Sequence, residues 1–473
     1  MKKLLSLVLC VLLLCIVFSG CGEEADSGKL VVCFEVDETA TDFVEGFLRW
    51  LDDCNKYYGL PVSSEDVEVL LIPDHFNPDS PERNSMLQKI RTDVMAGKGP
   101  DVFISDTIRT LSPENAFFYM KGGRVFPYLE KARDSGFFLP LDDELPNLTL
   151  TDVNEMIPQV LKGGKNQAGE QVILPMMFAV PGVIYTGEWD EELPEVAFEG
   201  TSWEDVLRGD DPLLAEQVNW FLNYSSPEEY MLGSHSSGLF CLIPQVADFE
   251  TETLYFSEEE LTAFLEDSFT AYRQTAKREM PKPGASTFLS GCRFPNGDFD
   301  FPYYPSANYS FAPLRNLEGG STAVVTQYCA VNANTKQKDK ALAVIDALLC
   351  KEYQKSGRLY QYFFEMPMYR DLGTPENGFF TGTPWELEFT EEQYETWQRI
   401  CKDINVVRFP SPLDIELDNM MEDIEDAMLE SLPADEERYP RDYRLADCTI
   451  SDETLAEIVS EHYQKMQRLV DES

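Results

Sequence analysis

An α/β fold with a mainly parallel sheet is predicted by three observations near the start of the chain. Short apolar runs at Lys29–Val36, Val67–Ile72 and Val102–Ile104 have strand length and strand composition. Between the first two, Phe43, Phe47, Leu48 and Leu51 recur at helical spacing, and between the second and third so do Met86, Leu87, Ile90 and Val94. The junction Gly97-Lys98-Gly99-Pro100 then stops a helix and feeds a strand, because Gly97 suits a left-handed C-terminal cap and Pro100 cannot continue the helix. Strand, helix, strand, helix, strand in this order argues for parallel strands joined by crossover helices.

The same junction raises the question of a phosphate-binding loop, and its spacing answers it. Such a loop needs G-x-x-x-x-G-K-[ST] between a strand and a helix, so that free N–H groups and a lysine meet the phosphate. Here the order is helix, loop, strand, and a proline stands where those N–H groups would begin. Residues just beyond the carboxyl ends of parallel strands line ligand crevices. Glu35 and Asp37 after the first strand, and Ser105 and Asp106 after the third, are therefore candidate ligand contacts.

Later elements follow from local patterning. "FLPLDDEL" (Phe138–Leu145) reads as a loop, and "MMFAVPGVIYTG" as an extended apolar passage. Ser202 and Asp205 in "TSWEDVL" have capping-box spacing. Leu261–Tyr272 reads as a helix and "STFLSGCRFP" as a strand and turn. "YSFAPLRNLEGG" reads as a proline-punctuated loop and a Gly319-Gly320 turn, followed by a strand. Ala341, Leu342, Val344, Ile345, Leu348 and Leu349 form a core-facing helical stripe. The tail from Ser451 to Val470 is an amphipathic helix with His462 expected on its exposed face. No internal repeat or low-complexity block occurs.

Composition bounds the function. The chain has 473 residues, enough for two or three domains, and a net charge of −46 from 84 acidic and 38 basic residues. That excess argues against nucleic acid and against an adhesive face for anionic lipid, both of which need clustered cations. Its main reading is a solvated acidic surface. At the N-terminus, Lys2 and Lys3 precede an apolar stretch from Leu4 to Phe18 and the small residues Ser19 and Gly20, the pattern of a secretory signal. Beyond Cys21, eight cysteines are scattered without a C-x-x-C pair, so their spacing predicts neither a zinc site nor a redox motif. Their pairing is left open, with buried thiols expected at Cys329 and Cys350.

No enzyme is expected. The three histidines, His75, His235 and His462, form no H-E-x-x-H, and no G-x-S-x-G occurs. "NGDFDF" (Asn296–Phe301) opens like a calcium loop but lacks glycine at the sixth position and glutamate at the twelfth. Catalytic residues, metal and cofactor are accordingly expected to be none.

Phe18-Ser19-Gly20-Cys21 resembles a bacterial lipobox, with Phe18 where leucine is usual. Together with "LQKIRTDVMAGKGPDVFISD", "GEQVILPMMFAVPGVIYT" followed by "TSWEDVL", "FAPLRNLEGGSTAVVTQYCAVNANTKQKDKALAVIDALLCKEYQ" and "TISDETLAEIVSEHYQKMQRL", it makes the chain similar to the extracellular solute-binding proteins of ABC importers, family 1, the maltose-binding-like branch. The resemblance implies a type II periplasmic-binding-protein-like fold, with two α/β lobes joined by crossing strands and a ligand cleft between them. It implies a signal peptide at 1–20, lipidation on Cys21, a tether at 21–27, an N-lobe of 28–178 with 325–372, and a C-lobe of 179–324 with 373–473. It further implies a monomer on the outer face of the bacterial cytoplasmic membrane, held by its lipid anchor alone. That monomer would carry a small solute, a sugar before a peptide, polyamine or other cation, to ABC permease subunits, with a surface receptor without transport or a glycoside-acting enzyme as the lesser alternatives. Phe178 and Tyr185 flank the first crossing, Gln327 and Tyr328 the second, and Arg293 and Phe294 align with the central cleft aromatic turn, which makes these six further ligand candidates. The chain departs from the branch at Thr186-Gly187, where Asn-Lys is frequent. It departs also at Pro412–Leu429, where Leu413, Met420 and Met421 stand in place of an aromatic platform, which argues against a maltodextrin.

Overall fold

In the computed structural model, the described residues are 28–35, 41–73, 80–106, 124–186, 201–202, 246–266, 288–294, 309–316, 318–355, 366–372, 391–431 and 449–473. The leader, Cys21, the tether, Asp37, Asp205, His75, His235 and the "NGDFDF" segment lie outside them.

The predicted β-α-β-α-β opening is present. Strand β1 (Leu30–Glu35) is followed by helix α1 (Thr41–Tyr58), β2 (Val67–Leu71), α2 (Pro81–Met95) and β3 (Val102–Asp106). β1 lies between β2 and β3 and is parallel to both. Ser80 caps α2, Pro81 occupies its first position, and Gly97 takes a φ of 72° just past its end, so the Gly-Lys-Gly junction is a helix stop. Two short helices follow, α3 (Leu129–Asp134) and α4 (Pro158–Lys162). The turn after α4 closes tightly on the chain. A Cβ on Gly164 would stand 1.9 Å from the Ile173 carbonyl oxygen, so no side chain fits there.

Two long strands join the halves of the molecule. β4 (Leu174–Thr186) pairs with β10 (Ser321–Val331) and β11 (Met366–Pro367) through Phe178. From Val180 it pairs instead with β8 (Phe288–Phe294), and from Gly182 also with β9 (Tyr309–Arg315). β10 changes partners as well. Ser321–Val324 lie beside β12 (Ile404–Arg408), and Gln327–Val331 beside β3. A two-residue strand, β5 (Thr201–Ser202), pairs with the end of β9. The segment read as a proline-punctuated loop is thus strand β9. Pro313, which has no N–H to give, sits at the last β4–β9 register position, where the neighbour changes to β5 and β10, and so breaks no central ladder.

The buried residues form two cores. The larger wraps the first half-sheet and includes the stripe of α5 (Lys338–Leu349), the short α6 (Lys351–Lys355) and Trp397 on α7 (Glu391–Asp403). The smaller is built on α8 (Pro412–Glu430) and α9 (Asp452–Asp471), with β6 (Ala247–Asp248), β7 (Thr253–Leu254) and a helical run at residues 258–266 beside them. Leu413, Leu417, Met420, Ile424 and Met428 line one face of α8, against Leu455, Val459, Met466 and Val470 of α9. Leu413 and Met420 therefore serve as core. His462 is a correction to the expected exposed position. It lies within the α8–α9 seam at 1% exposure, because carboxylates on α8 reach both of its ring nitrogens. Cys33, Cys54, Cys329, Cys350 and Cys401 are buried free thiols.

Candidate functional site

The carboxyl ends of β1 and β3 meet β10 in one row. Glu35 is level with Ser105, Ser105 with Tyr328, and Tyr328 with Pro175 of β4. One strand position further on, Asp106 is level with Gln327, and Gln327 with Met177. Register alone brings Glu35, Ser105 and Asp106, at the ends of the parallel strands β1 and β3, level with Gln327 and Tyr328 in the middle of the antiparallel β10.

The row is sealed. Glu35, Ser105 and Tyr328 are 5%, 1% and 1% exposed. The Glu35 carboxylate accepts from the Ser105 hydroxyl and from the Val125 N–H. Arg91 fastens the covering segment, donating from Nε to the Val125 carbonyl at 2.9 Å and also to the Arg124 carbonyl. Burial, reinforced by the Glu35 charge, pushes the Tyr328 phenol well above its ordinary range, so it stays a neutral donor, hydrogen-bonded to Ser105. This geometry spends the polar capacity of Glu35 and Ser105 inside the row. We predict that Tyr328→Phe costs about 1 kcal/mol in urea unfolding, the worth of one neutral hydrogen bond.

The other predicted residues are dispersed. Phe178 is fully buried and stacks on Trp397 at 5.8 Å between centroids, just where β4 changes partners. Tyr185 lies beyond that point, level with Leu289 and Ser310, while Arg293 and Phe294 are level with Pro181 and Val180. Among the described residues, no cluster of His, Cys, Asp and Glu is arranged to hold a metal, and no helix is long and apolar enough to cross a membrane.

Beside β10, the ends of β3 and β12 run head to head. β3 is antiparallel to β10 and stops at Asp106 opposite Gln327, and β12 is parallel to it and stops at Arg408 opposite Val324. Phe409, just past β12, sets its ring edge-on to Tyr328 at 6.3 Å. On this flank is a cavity of about 370 Å³ that contains none of the predicted residues. One wall is α3, α4 and the turn after α4, whose Leu129, Ala132 and Val160 belong to the larger core. The facing wall holds Val246, Ala247 and Leu413 of the smaller core and the start of α8, and β12 also lines the cavity, although Ile404 at its start and Phe409 just past its end belong to the larger core. Ser411 and Asp414 form that helix start, the Ser411 N–H donating to Asp414 at 2.7 Å, and Asp414 also pairs with Arg408. "SPLD" is legible as a helix start, whereas nothing local indicates that it faces α3 across a cavity. α4 and its turn pack on β12, so closely that a Cβ on Gly163 would be 2.5 Å from Val407 Cγ1.

Two sheet halves joined by crossing strands invite comparison with solved structures. An extracellular solute-binding protein, family 1, from Alicyclobacillus acidocaldarius aligns over 93% of this chain and 98% of its own, with 14% identity and a TM-score of 0.50. The chain has the two-lobed fold of the extracellular solute-binding proteins. Two further structures align at lower scores. A cyclic alpha-maltosyl-1,6-maltose binding protein from Arthrobacter globiformis covers 92% of this chain and 99% of its own, at 14% identity and a TM-score of 0.46. An ABC transporter solute-binding protein from Thermotoga lettingae, bound with alpha-D-tagatose, covers 94% and 100%, at 15% identity and 0.46. No family model matches the chain, and no curated protein does. β4 and β10 are the strands that change partners along their length, and the Glu35–Ser105–Tyr328 row lies beside them.

Proposed function

We propose that this chain is a lipid-anchored extracellular solute-binding protein that captures a small solute between its lobes and delivers it to an ABC permease. The observation that carries this reading is the partner exchange of both β4 and β10, which makes two strands the shared hinge of two sheets. A ligand touching both lobes stabilises the closed arrangement by its differential affinity for that state. The lobe boundaries near Phe178, Val324 and Leu372, the anchor on Cys21 and the permease partner are parts of this proposal. A carbohydrate is the favoured cargo. Sugars need aromatic faces and amide or carboxylate partners, and the chain carries 21 Tyr, 30 Phe and 6 Trp to supply the former.

The test is a thermal-shift screen of the soluble chain begun after Cys21, against mono- and oligosaccharides, peptides and polyamines. A ligand specific to the native state raises Tm by mass action. A shift with one sugar class supports the proposal. A shift with polyamines or peptides alone, with an affinity that falls as salt rises, overturns the cargo class. For the sugar that binds, Asp106→Ala and Tyr185→Ala are each expected to weaken binding about tenfold or more by calorimetry, equivalent to roughly 1.4 kcal/mol, with unfolding midpoints little changed.

A further inference from the structure

Four large apolar or aromatic side chains are strongly exposed among the described residues, and three of them share one end of the first half-sheet. These are Tyr57 at 65%, Tyr58 at 49% and Met95 at 75%. Strand direction puts them there. β1, β2 and β3 are parallel, so Leu30, Val67 and Val102 begin at one pole, and α1 and α2, which return the chain to β2 and β3, end at it with Tyr58 and Met95. Val331, level with Val102, brings the end of β10 and the approach to α5 to the same pole. Asn332 ties these segments together, its Nδ2 donating to the Lys98 and Pro100 carbonyls at 2.9 Å each, and Thr335 donates to Asp101 at 2.6 Å. The exposed charges here are balanced, with Lys29, Lys56, Lys98 and Lys336 against Asp52, Glu65, Glu68 and Asp339. Of the remaining acids, Asp66 pairs with Lys340 at 2.8 Å, and the Asp101 carboxylate accepts from the Val31 N–H and the Thr335 hydroxyl. The pole is thus nearly neutral on a chain of net charge −46.

We propose that this pole is a bilayer-contact face: Tyr57, Tyr58 and Met95 enter the headgroup layer beside the anchor, and the rim lysines meet lipid phosphates. The first half-sheet then stands on the membrane with the Glu35–Ser105–Tyr328 row, at the opposite ends of the strands, pointing away from it. The occupant follows from where the chain leaves this face. Gly28 directly precedes Lys29 and β1, so the tether of residues 21–27 departs from this pole. Seven residues span at most about 25 Å, which keeps the pole within reach of the bilayer that holds Cys21. The side chains suit such a surface. Tyrosine joins an apolar ring to a polar hydroxyl and favours the membrane–water interface, and lysine can bury its stem while its ammonium reaches phosphate. Lys56 already lies 4.5 Å from the Tyr57 ring centroid and 2.9 Å from its hydroxyl, so the two offer one amphipathic unit. Charge selects the same face. An anionic leaflet repels the acidic remainder of the chain, and screening confines that repulsion to about 10 Å, so the balanced pole is the part that can approach. The inference rests on the anchored reading of the chain, so its test supplies the tether independently.

The experiment is hydroxyl-radical footprinting read by mass spectrometry, on the chain begun after Cys21 with a histidine tag in the anchor's place. The chain is held on vesicles of equal parts phosphatidylglycerol and phosphatidylcholine with a minor share of nickel-chelating lipid, and compared with the same chain free in solution. Tyr255, 55% exposed beside the smaller core, is the internal reference. Relative to it, oxidation of Tyr57, Tyr58 and Met95 should fall about threefold or more on the vesicles. In the double variant Tyr57→Ser, Met95→Ser, Tyr58 should regain most of its reactivity in solution, and Lys98→Glu should weaken the protection of all three. Urea unfolding checks that the variants fold, and exposed positions such as these tolerate substitution. Unchanged oxidation on the vesicles overturns the inference. So does Tyr58 protection that persists in the double variant, as nearness to the tether alone would give. Protection that grows in the free chain as its concentration rises assigns the face to a second copy and overturns the inference as well. Native Cys21 found without acyl chains refutes the anchor and leaves each of these outcomes decisive, because the tag supplies the tether.

Discussion

Asp346→Ala should destabilise the chain by about 3–5 kcal/mol, measured as a shift in guanidinium unfolding at pH 7. Asp346 lies in the apolar stripe of α5 and is 2% exposed. Its carboxylate accepts from three successive backbone N–H groups, those of Thr149 at 2.7 Å, Leu150 at 3.0 Å and Thr151 at 2.9 Å. Thr151 Oγ1 returns a bond to the Asp346 carbonyl at 3.0 Å. One side chain thus fastens a loop almost two hundred positions away in the sequence. Alanine would strand these donors beside the larger core, and each buried donor without an acceptor costs about 1–3 kcal/mol. Asp346→Asn should cost less, about 2 kcal/mol, because one amide oxygen remains to accept. An alanine variant within 1 kcal/mol of the parent would mean that the loop finds other acceptors.

His462→Ala should cost about 2–3 kcal/mol at pH 6, and much less at high pH. Its two ring nitrogens lie 2.6 Å from Glu416 Oε1 and 2.8 Å from Asp423 Oδ2. Each carboxylate needs a donor, and only the doubly protonated ring supplies two. Burial alone would lower the imidazole's pKa, but the hydrogen bonds to Glu416 and Asp423 outweigh it and hold His462 above its ordinary 6.5. Lys465, 3.6 Å from Glu416, opposes the shift only slightly. The range for this variant allows for solvent screening at Asp423, whose side chain is 56% exposed. The sign follows from linkage. A group with a raised folded-state pKa contributes its full stabilisation below the unfolded value near 6.5 and loses it as pH rises through the folded value. Unfolding free energy should therefore fall from pH 6 toward alkaline pH in the parent, and fall less in His462→Ala. Equal slopes in the two proteins would remove the imidazolium from the seam.

His462 also shows where local pattern stops being informative. Among the apolar positions of α9, Leu455, Val459, Met466 and Val470 are buried and mark its inner face. Whether a histidine beside that stripe is solvated or buried depends on what the opposing helix offers. Glu416 and Asp423, seven positions apart on α8, offer two acceptors at the right height, and that match exists only once the helices are paired. Asp346 follows the same rule. A carboxylate in an apolar stripe is visible in "AVIDALLC", but its partners come from a loop that the sequence does not place beside it.

The candidate site was legible to a similar depth. That Glu35, Ser105 and Asp106 end parallel strands follows from the β-α-β alternation, and their common edge follows from register. That the Glu35–Ser105–Tyr328 row is closed rather than open was not legible, because the cover is residues 124–125, brought in by Arg91. The cavity beside Phe409 was not legible at all. Its walls come from five separated stretches, each of which looks locally like an ordinary helix end, turn or strand.

The sequence by itself determined the α/β class, the helix stop at Gly97-Lys98-Gly99-Pro100, the core stripe of α5 and the amphipathic face of α9. These rest on periodicity, capping and turn chemistry, which act within a few residues. The tertiary structure alone decided that Tyr309–Arg315 is a strand, that β4 and β10 change partners midway, that His462 and Asp346 are buried polar clasps, and that α3 and the start of α8 line one cavity. Each of these depends on which distant segment arrives alongside, and the free energy of a polar or extended residue is set by that neighbour rather than by its own side chain.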